Sequence, residues 1–155
     1  MSLPSFNTSG DLPVGVHLTS LQEALSRFGV GSDQRKAVGL RLERLYQVAC
    51  ASGHLARFVV FGSFVTDKQQ PNDVDVFLLM EDAFEASQLT GDSRILFDHA
   101  AAQDHFGASV FWLRRLAALQ GEQAAIEDWQ VKRGGGQRGI VEIITEFPCL
   151  PMTKS

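Results

Sequence analysis

The sequence predicts an α+β domain, a small mixed sheet with helices packed on it. Three observations lead there. Residues 33–52 carry apolar side chains at helical spacing, and four shorter apolar runs have the length of strands. Two of those runs, Phe58–Phe61 and Asp73–Met80, are separated by a turn of about ten residues with no helical pattern, so they pair antiparallel rather than through a crossover. The 155 residues, 45% of them apolar, suffice for one domain with a real core, spanning 1–155.

The elements follow in order. Pro4, Gly10, Pro13 and Gly15 interrupt residues 1–17, which read as an irregular arm laid across the surface by Leu3, Phe6, Leu12, Val14 and Val16. Thr19 or Ser20 caps a short helix ending at Phe28, with Glu23 placed as in a capping box and Gly29 as terminator. Ser32 opens the longest helix, whose apolar face is Val38, Leu42, Leu45 and Ala49; Arg35, Lys36, Arg41, Glu43 and Arg44 fall mostly on other faces. Gly62-Ser63 ends the first strand, and Pro71 sits in the turn before the second. A helix is expected over 92–106 and a third strand over 109–113. Residues 116–129 have helical character that Gly121 can split, 132–139 ("KRGGGQRG") form a flexible connection, and 139–145 ("GIVEIIT") form a fourth strand.

Charge narrows the function. The net charge of −4 is unevenly spread: residues 58–110 hold 9 acidic and 2 basic side chains, a net −7. Such a segment repels phosphate unless cations intervene, which argues against a plain nucleic-acid-binding module. Glu81, Asp82 and Glu85 within it read as solvated surface. The cysteines, Cys50 and Cys149, fit no metal or redox spacing, and Cys50 reads as core. With no basic-then-apolar leader and no apolar run of membrane length, the expectation is a soluble cytoplasmic protein in a reducing compartment, without membrane contact. The four histidines lack ligand spacing, and Trp112 and Trp129 read as core or interface.

The chemistry concentrates in "FGSFVTDKQQPNDVDVF". Alternation along a strand puts Asp73 and Asp75 on one side and Val74, Val76 and Leu78 on the other, facing the core. The two carboxylates then stand about 6–7 Å apart at their anchors, close enough to converge on small cations. Magnesium, or manganese, takes a few carboxylates and completes its shell with waters and phosphates. Gly62 lets the backbone approach a ligand, and Ser63 adds a hydroxyl beside a turn whose N–H groups can hold a phosphate. The blander alternative is an unremarkable Gly-Ser pair near a solvated strand edge.

An apolar residue, Gly-Ser, a spacer, then Asp-apolar-Asp-apolar, filled here by Phe61, Gly62, Ser63, Asp73, Val74, Asp75 and Val76, resembles the signature of the nucleotidyltransferase superfamily that includes DNA polymerase beta and the bacterial minimal nucleotidyltransferases. "LPSFNTSGDLPVGVH" and "RFG" further resemble an uncharacterised bacterial subgroup of that superfamily. The resemblance implies a magnesium-dependent transfer of a nucleoside monophosphate from a nucleoside triphosphate to an acceptor. It assigns Asp73 and Asp75 to metal and catalysis, and Gly62 and Ser63 to the nucleotide.

Two departures matter. Members of the superfamily usually carry a third carboxylate on the strand after the next helix; here that position is Ser109. Glu142 has the same apolar flanks and can substitute if its strand lies beside the site, the alternatives being a cross-strand salt bridge or an exposed edge. Where minimal members carry an arginine after Gly-Ser, this chain has Thr66, leaving Lys68 as the nearby cation for a triphosphate or as a solvated turn residue. Arg133 and Arg138 are further cations able to close over an anion. The rival to an active enzyme is a degenerate binding or regulatory module, an antitoxin-like partner of another protein, which Ser109 favours.

Overall fold

A computed structural model describes residues 3–144. Five strands form one sheet in the order β1-β5-β2-β3-β4, where β1 is Val16–Thr19, β2 Leu55–Phe61, β3 Val74–Met80, β4 Ala108–Arg114 and β5 Ile140–Ile143. The sheet is mixed: β2 pairs antiparallel with β3 and β5, while β3–β4 and β1–β5 are parallel. The fold is therefore α+β, and the antiparallel β2–β3 pair is the one the short turn predicts.

Helices α1 (Leu21–Phe28) and α2 (Asp33–Ala51) start where their capping residues place them. Ser20 accepts a hydrogen bond from Glu23 N–H and Ser32 one from Arg35 N–H, each satisfying a donor that the first turn leaves unpaired. The stripe Val38, Leu42, Leu45 and Ala49 of α2 packs against Phe58, Val60, Val76 and Leu78 on one face of the sheet, all nearly or fully buried. The opposite face carries a smaller cluster built from Val59, Phe77, Leu79, Ile126 and Ile140. Asp75 belongs to this second face.

Three expectations need correction. Val16 and His17, the end of the expected arm 1–17, belong to β1, an edge strand hydrogen-bonded to β5. The helix expected over 92–106 is two: α3 (Gly91–Leu96) and α4 (His99–Phe106). Asp98 accepts from Ala101 N–H and caps α4, so its side chain starts a new helix instead of continuing the old one. Between Leu116 and Trp129 the helical stretch is split at Gly121, as expected: Gly121, at φ +99°, breaks the run where a β-carbon would be strained, and α5 (Glu122–Glu127) follows it. Finally, Cys50 is buried, yet among the described residues no cysteine is a free thiol, so it is more than apolar filling and cysteine usage gives no support to a reducing compartment. No helix among the described residues is long and apolar enough to cross a membrane.

Candidate functional site

The site forms where β2 ends. Gly62 leaves the strand at φ +83°, a conformation that favours glycine, and Ser63–Val65 make a single 3-10 turn. A β-carbon on Gly62 would fall inside contact distance of the Asp75 carboxylate. Glycine is thus required twice here, for its backbone angle and for the room it leaves a charged neighbour. The turn is too short for a helix dipole to matter, so Ser63 contributes its hydroxyl and local N–H groups only.

The loop beyond is held from below by Arg35. This guanidinium, 8% exposed, donates to the carbonyls of Phe28 (3.0 Å), Phe64 (2.8 Å), Thr66 (2.6 Å) and Lys68 (2.5 Å). Burial lowers its pKa below the usual arginine value, with Asp67 acting the other way; it remains cationic. Sequence reasoning set Arg35 on an outer face, although the series 35, 38, 42, 45 shows that it continues the buried stripe of α2.

Asp75 on β3 and Asp73, just before the strand begins, line the same cleft. Asp75 lies opposite Phe61 on β2 and opposite Ser109 on β4. Burial, and then the charge of Asp73, raise its pKa to about 6, against a Ser109 hydrogen bond and the more distant Arg133 and Arg138. Neither carboxylate has an ion-pair partner among the described residues. Ser109 donates to Gln103 Oε1 (3.0 Å), and Gln103 Nε2 donates to Asp73 Oδ2 (3.4 Å). The position expected to hold a third acid is therefore beside Asp75 as placed, and an amide network fills it. Gln103 had no signal in the sequence, because only the docking of α4 beside β4 brings it there.

Glu142 does not join the pair. It sits two strands from Asp75 and two residues along, roughly 12 Å between backbones. Its carboxylate is held by Arg57, Nε to Oε2 at 2.8 Å and Nη2 to Oε1 at 2.7 Å. The hydrogen bond to Glu142 raises the Arg57 pKa more than burial lowers it. This is the cross-strand salt bridge weighed above as the alternative. Lys68 also lies elsewhere: its side chain is exposed and outside the cleft, and its carbonyl faces Arg35.

Cations arrive from the opposite wall. Residues 131–138 are an ordered reversal, closed by a bridge between Val131 and Gln137, with Gly134, Gly135 and Gly136 all at positive φ. Lys132, Arg133 and Arg138 from this turn face Gly62, Ser63, Asp73 and Asp75 across a cleft of about 650 Å³, a size that suits a nucleotide-sized ligand. Lys132 and Arg138 are tied to the buried Asp11 carboxylate, at 3.1 and 3.4 Å, whereas Arg133 has no ion-pair partner among the described residues. The acids at 81 and 85 pair with Arg115 and Arg114 at the far end of β3 and β4.

Among the described residues, no group of three or more His, Cys, Asp or Glu is placed to hold a metal ion. The donor set still fits one divalent cation, since two uncompensated carboxylates face a cleft lined with cations, leaving the remaining ligands to waters and phosphates. Fold and site together define an α+β domain with an anionic pair opposed by a basic turn. Residues 4–144 match a family described as "Family of unknown function (DUF6932)", and the chain belongs to it. No curated protein and no solved structure gives a significant match.

Proposed function

We propose that the cleft binds a magnesium-bound nucleoside triphosphate and that the protein is nucleotidyltransferase-like, an acceptor attacking the α-phosphorus to take the nucleoside monophosphate while the α–β phosphoanhydride bond breaks and pyrophosphate leaves. One observation carries the reading. Asp75 on β3 and Asp73 just before it are both partly buried with no ion-pair partner among the described residues, and burying an unpaired charge costs several kcal/mol, on the order of a lost ion pair. A divalent ion held by Asp73 and Asp75 would offset that cost and supply positive charge for phosphates on the acidic wall of the cleft. Magnesium supplies charge neutralisation of the phosphates and of the oxygens that develop charge during transfer. Asp73 and Asp75 hold the cation, Gly62 lets the backbone approach the phosphates, Ser63 donates a hydroxyl, and Arg133 meets the anion from the other wall.

A second reading keeps the binding and drops the turnover. Ser109, engaged by Gln103, stands where an acid would activate the acceptor hydroxyl, and serine neither binds magnesium well nor accepts a proton readily. On this reading the domain is a regulatory module acting through a protein partner.

Incubating the protein with labelled nucleoside triphosphates, magnesium or manganese, and cell lysate separates the two. Label transfer that disappears in Asp75→Asn supports the transferase. Nucleotide binding without transfer supports the module, and no binding at millimolar nucleotide removes both.

A further inference from the structure

We infer that Trp129 is a stacking platform for a nucleobase, so that the ligand is recognised as a nucleotide and not merely as a metal-bound polyphosphate. The inference rests on the reading of the cleft just given and names its substrate class. Trp129 lies in a 3-10 turn, Asp128–Gln130, between α5 and the basic reversal. Its ring stands 4.6 Å from Phe61, 4.9 Å from Phe111 and 5.3 Å from Phe77, at interplanar angles of 29°, 36° and 34°. The indole therefore stacks on Phe61 and lies tilted over Phe111 and Phe77 on the sheet face that carries Asp75.

Two features set this cluster apart from ordinary core. Phe61, Phe111 and Trp129 all stay partly exposed, and all three line the same cleft as the carboxylates. The aromatic cluster on the other face packs differently: Trp112 meets Phe84 and Phe97 edge-on at 87° and 89°, and its indole N–H donates to the Phe97 carbonyl at 3.1 Å. That tryptophan is fixed by its polar handle. Trp129 makes no such bond among the described residues and offers flat apolar area at a polar cleft, the arrangement that single-strand nucleic-acid and nucleotide sites use to hold any base by its π-face. Phosphates at Gly62, Ser63 and Arg133 then leave the base along the cleft wall at Trp129, whose indole covers Phe61. Stacking is tolerant of base identity, so adenine, guanine, cytosine and uracil nucleotides are all accepted, purines somewhat better.

The test compares Mg-ATP with magnesium-bound inorganic tripolyphosphate on the full-length protein, by calorimetry and by tryptophan fluorescence of a Trp112→Phe variant in which Trp129 is the only tryptophan. The platform predicts quenching by Mg-ATP alone, and an affinity for Mg-ATP about tenfold or more above that for tripolyphosphate. Trp129→Leu brings the two affinities together, and Trp129→Phe restores most of the difference. Equal affinities with unchanged Trp129 emission overturn the platform while leaving the phosphate and metal site standing. Absence of binding by either ligand removes the parent reading and the platform with it. The wild-type comparison decides the matter even if Trp129→Leu fails to fold.

Discussion

Two acidic corners of one sheet face look alike in sequence and differ in the fold. "NDVDVF" and "GIVEII" each place carboxylates among apolar residues on a strand. Glu142 meets a bidentate arginine from the adjacent strand. Asp75 meets a glycine without a side chain, a serine and a second carboxylate. The first arrangement is complete within the protein and strengthens it. The second is incomplete among the described residues, which is why we propose it as the ligand site. What separates structure from site here is the partner, which lies far away in sequence, and not the acid.

The largest expected effect breaks the complete corner. Glu142→Gln leaves Arg57, 23% exposed at its side chain, without its main counter-charge, and should destabilise the fold by about 2–4 kcal/mol in chemical denaturation. Nucleotide binding by the folded fraction should be unchanged.

The incomplete corner should respond with the opposite sign. Asp75→Asn removes a carboxylate whose folded pKa, about 6, lies above its unfolded value. Such a group stabilises the fold when protonated and withdraws that stability as pH rises through about 6. The wild type without ligand should therefore gain stability from this group as pH falls from 7 towards 4, as tracked by its denaturation midpoint. At pH 7.5 the variant should be more stable by about 2 kcal/mol, a melting rise of about 4–8 °C, while losing magnesium-dependent nucleotide binding. A variant that melts lower would remove the contrast between the corners.

Smaller changes sharpen the comparison. Asp11→Asn frees Lys132 and Arg138 from their buried anchor and should cost about 1 kcal/mol in stability, with a weaker nucleotide affinity measured by calorimetry as the basic turn loosens. Lys68→Ala should do least. Its side chain is exposed and away from the cleft, so stability should stay within about 0.5 kcal/mol and nucleotide affinity should not move.

The sequence was legible where chemistry is local. Ser20 and Ser32 announce their helices because a cap bonds a neighbour three residues on. Asp73 and Asp75 line one cleft, the placement that strand alternation predicts, although β3 begins at Val74. The position of Ser109 beside Asp75 followed from element order, strand then helix then strand, although a cap at Asp98 divides that helix. What stayed hidden depends on contacts between distant segments. Residues 16–19 form a strand only because β5 arrives beside them, and Val16 and Leu18 alone are too short a signal. Arg57 and Glu142 are 85 positions apart, so nothing local reveals their pairing. Gln103 reaches Asp73 and Ser109, and Trp129 reaches the cleft, only through the docking of α4 and of the turn after α5.

The central claim, that the anions at 73 and 75 tolerate each other through a divalent ion carried with a nucleotide, is tested most directly by melting the protein with magnesium and a non-hydrolysable ATP analogue, alone and together. A ligand that binds only the folded state raises its stability in proportion to the logarithm of its concentration over Kd. The account predicts a concentration-dependent rise in wild-type Tm when both are present, and none in Asp75→Asn. No rise in the wild type, or an equal rise in the variant, would contradict it.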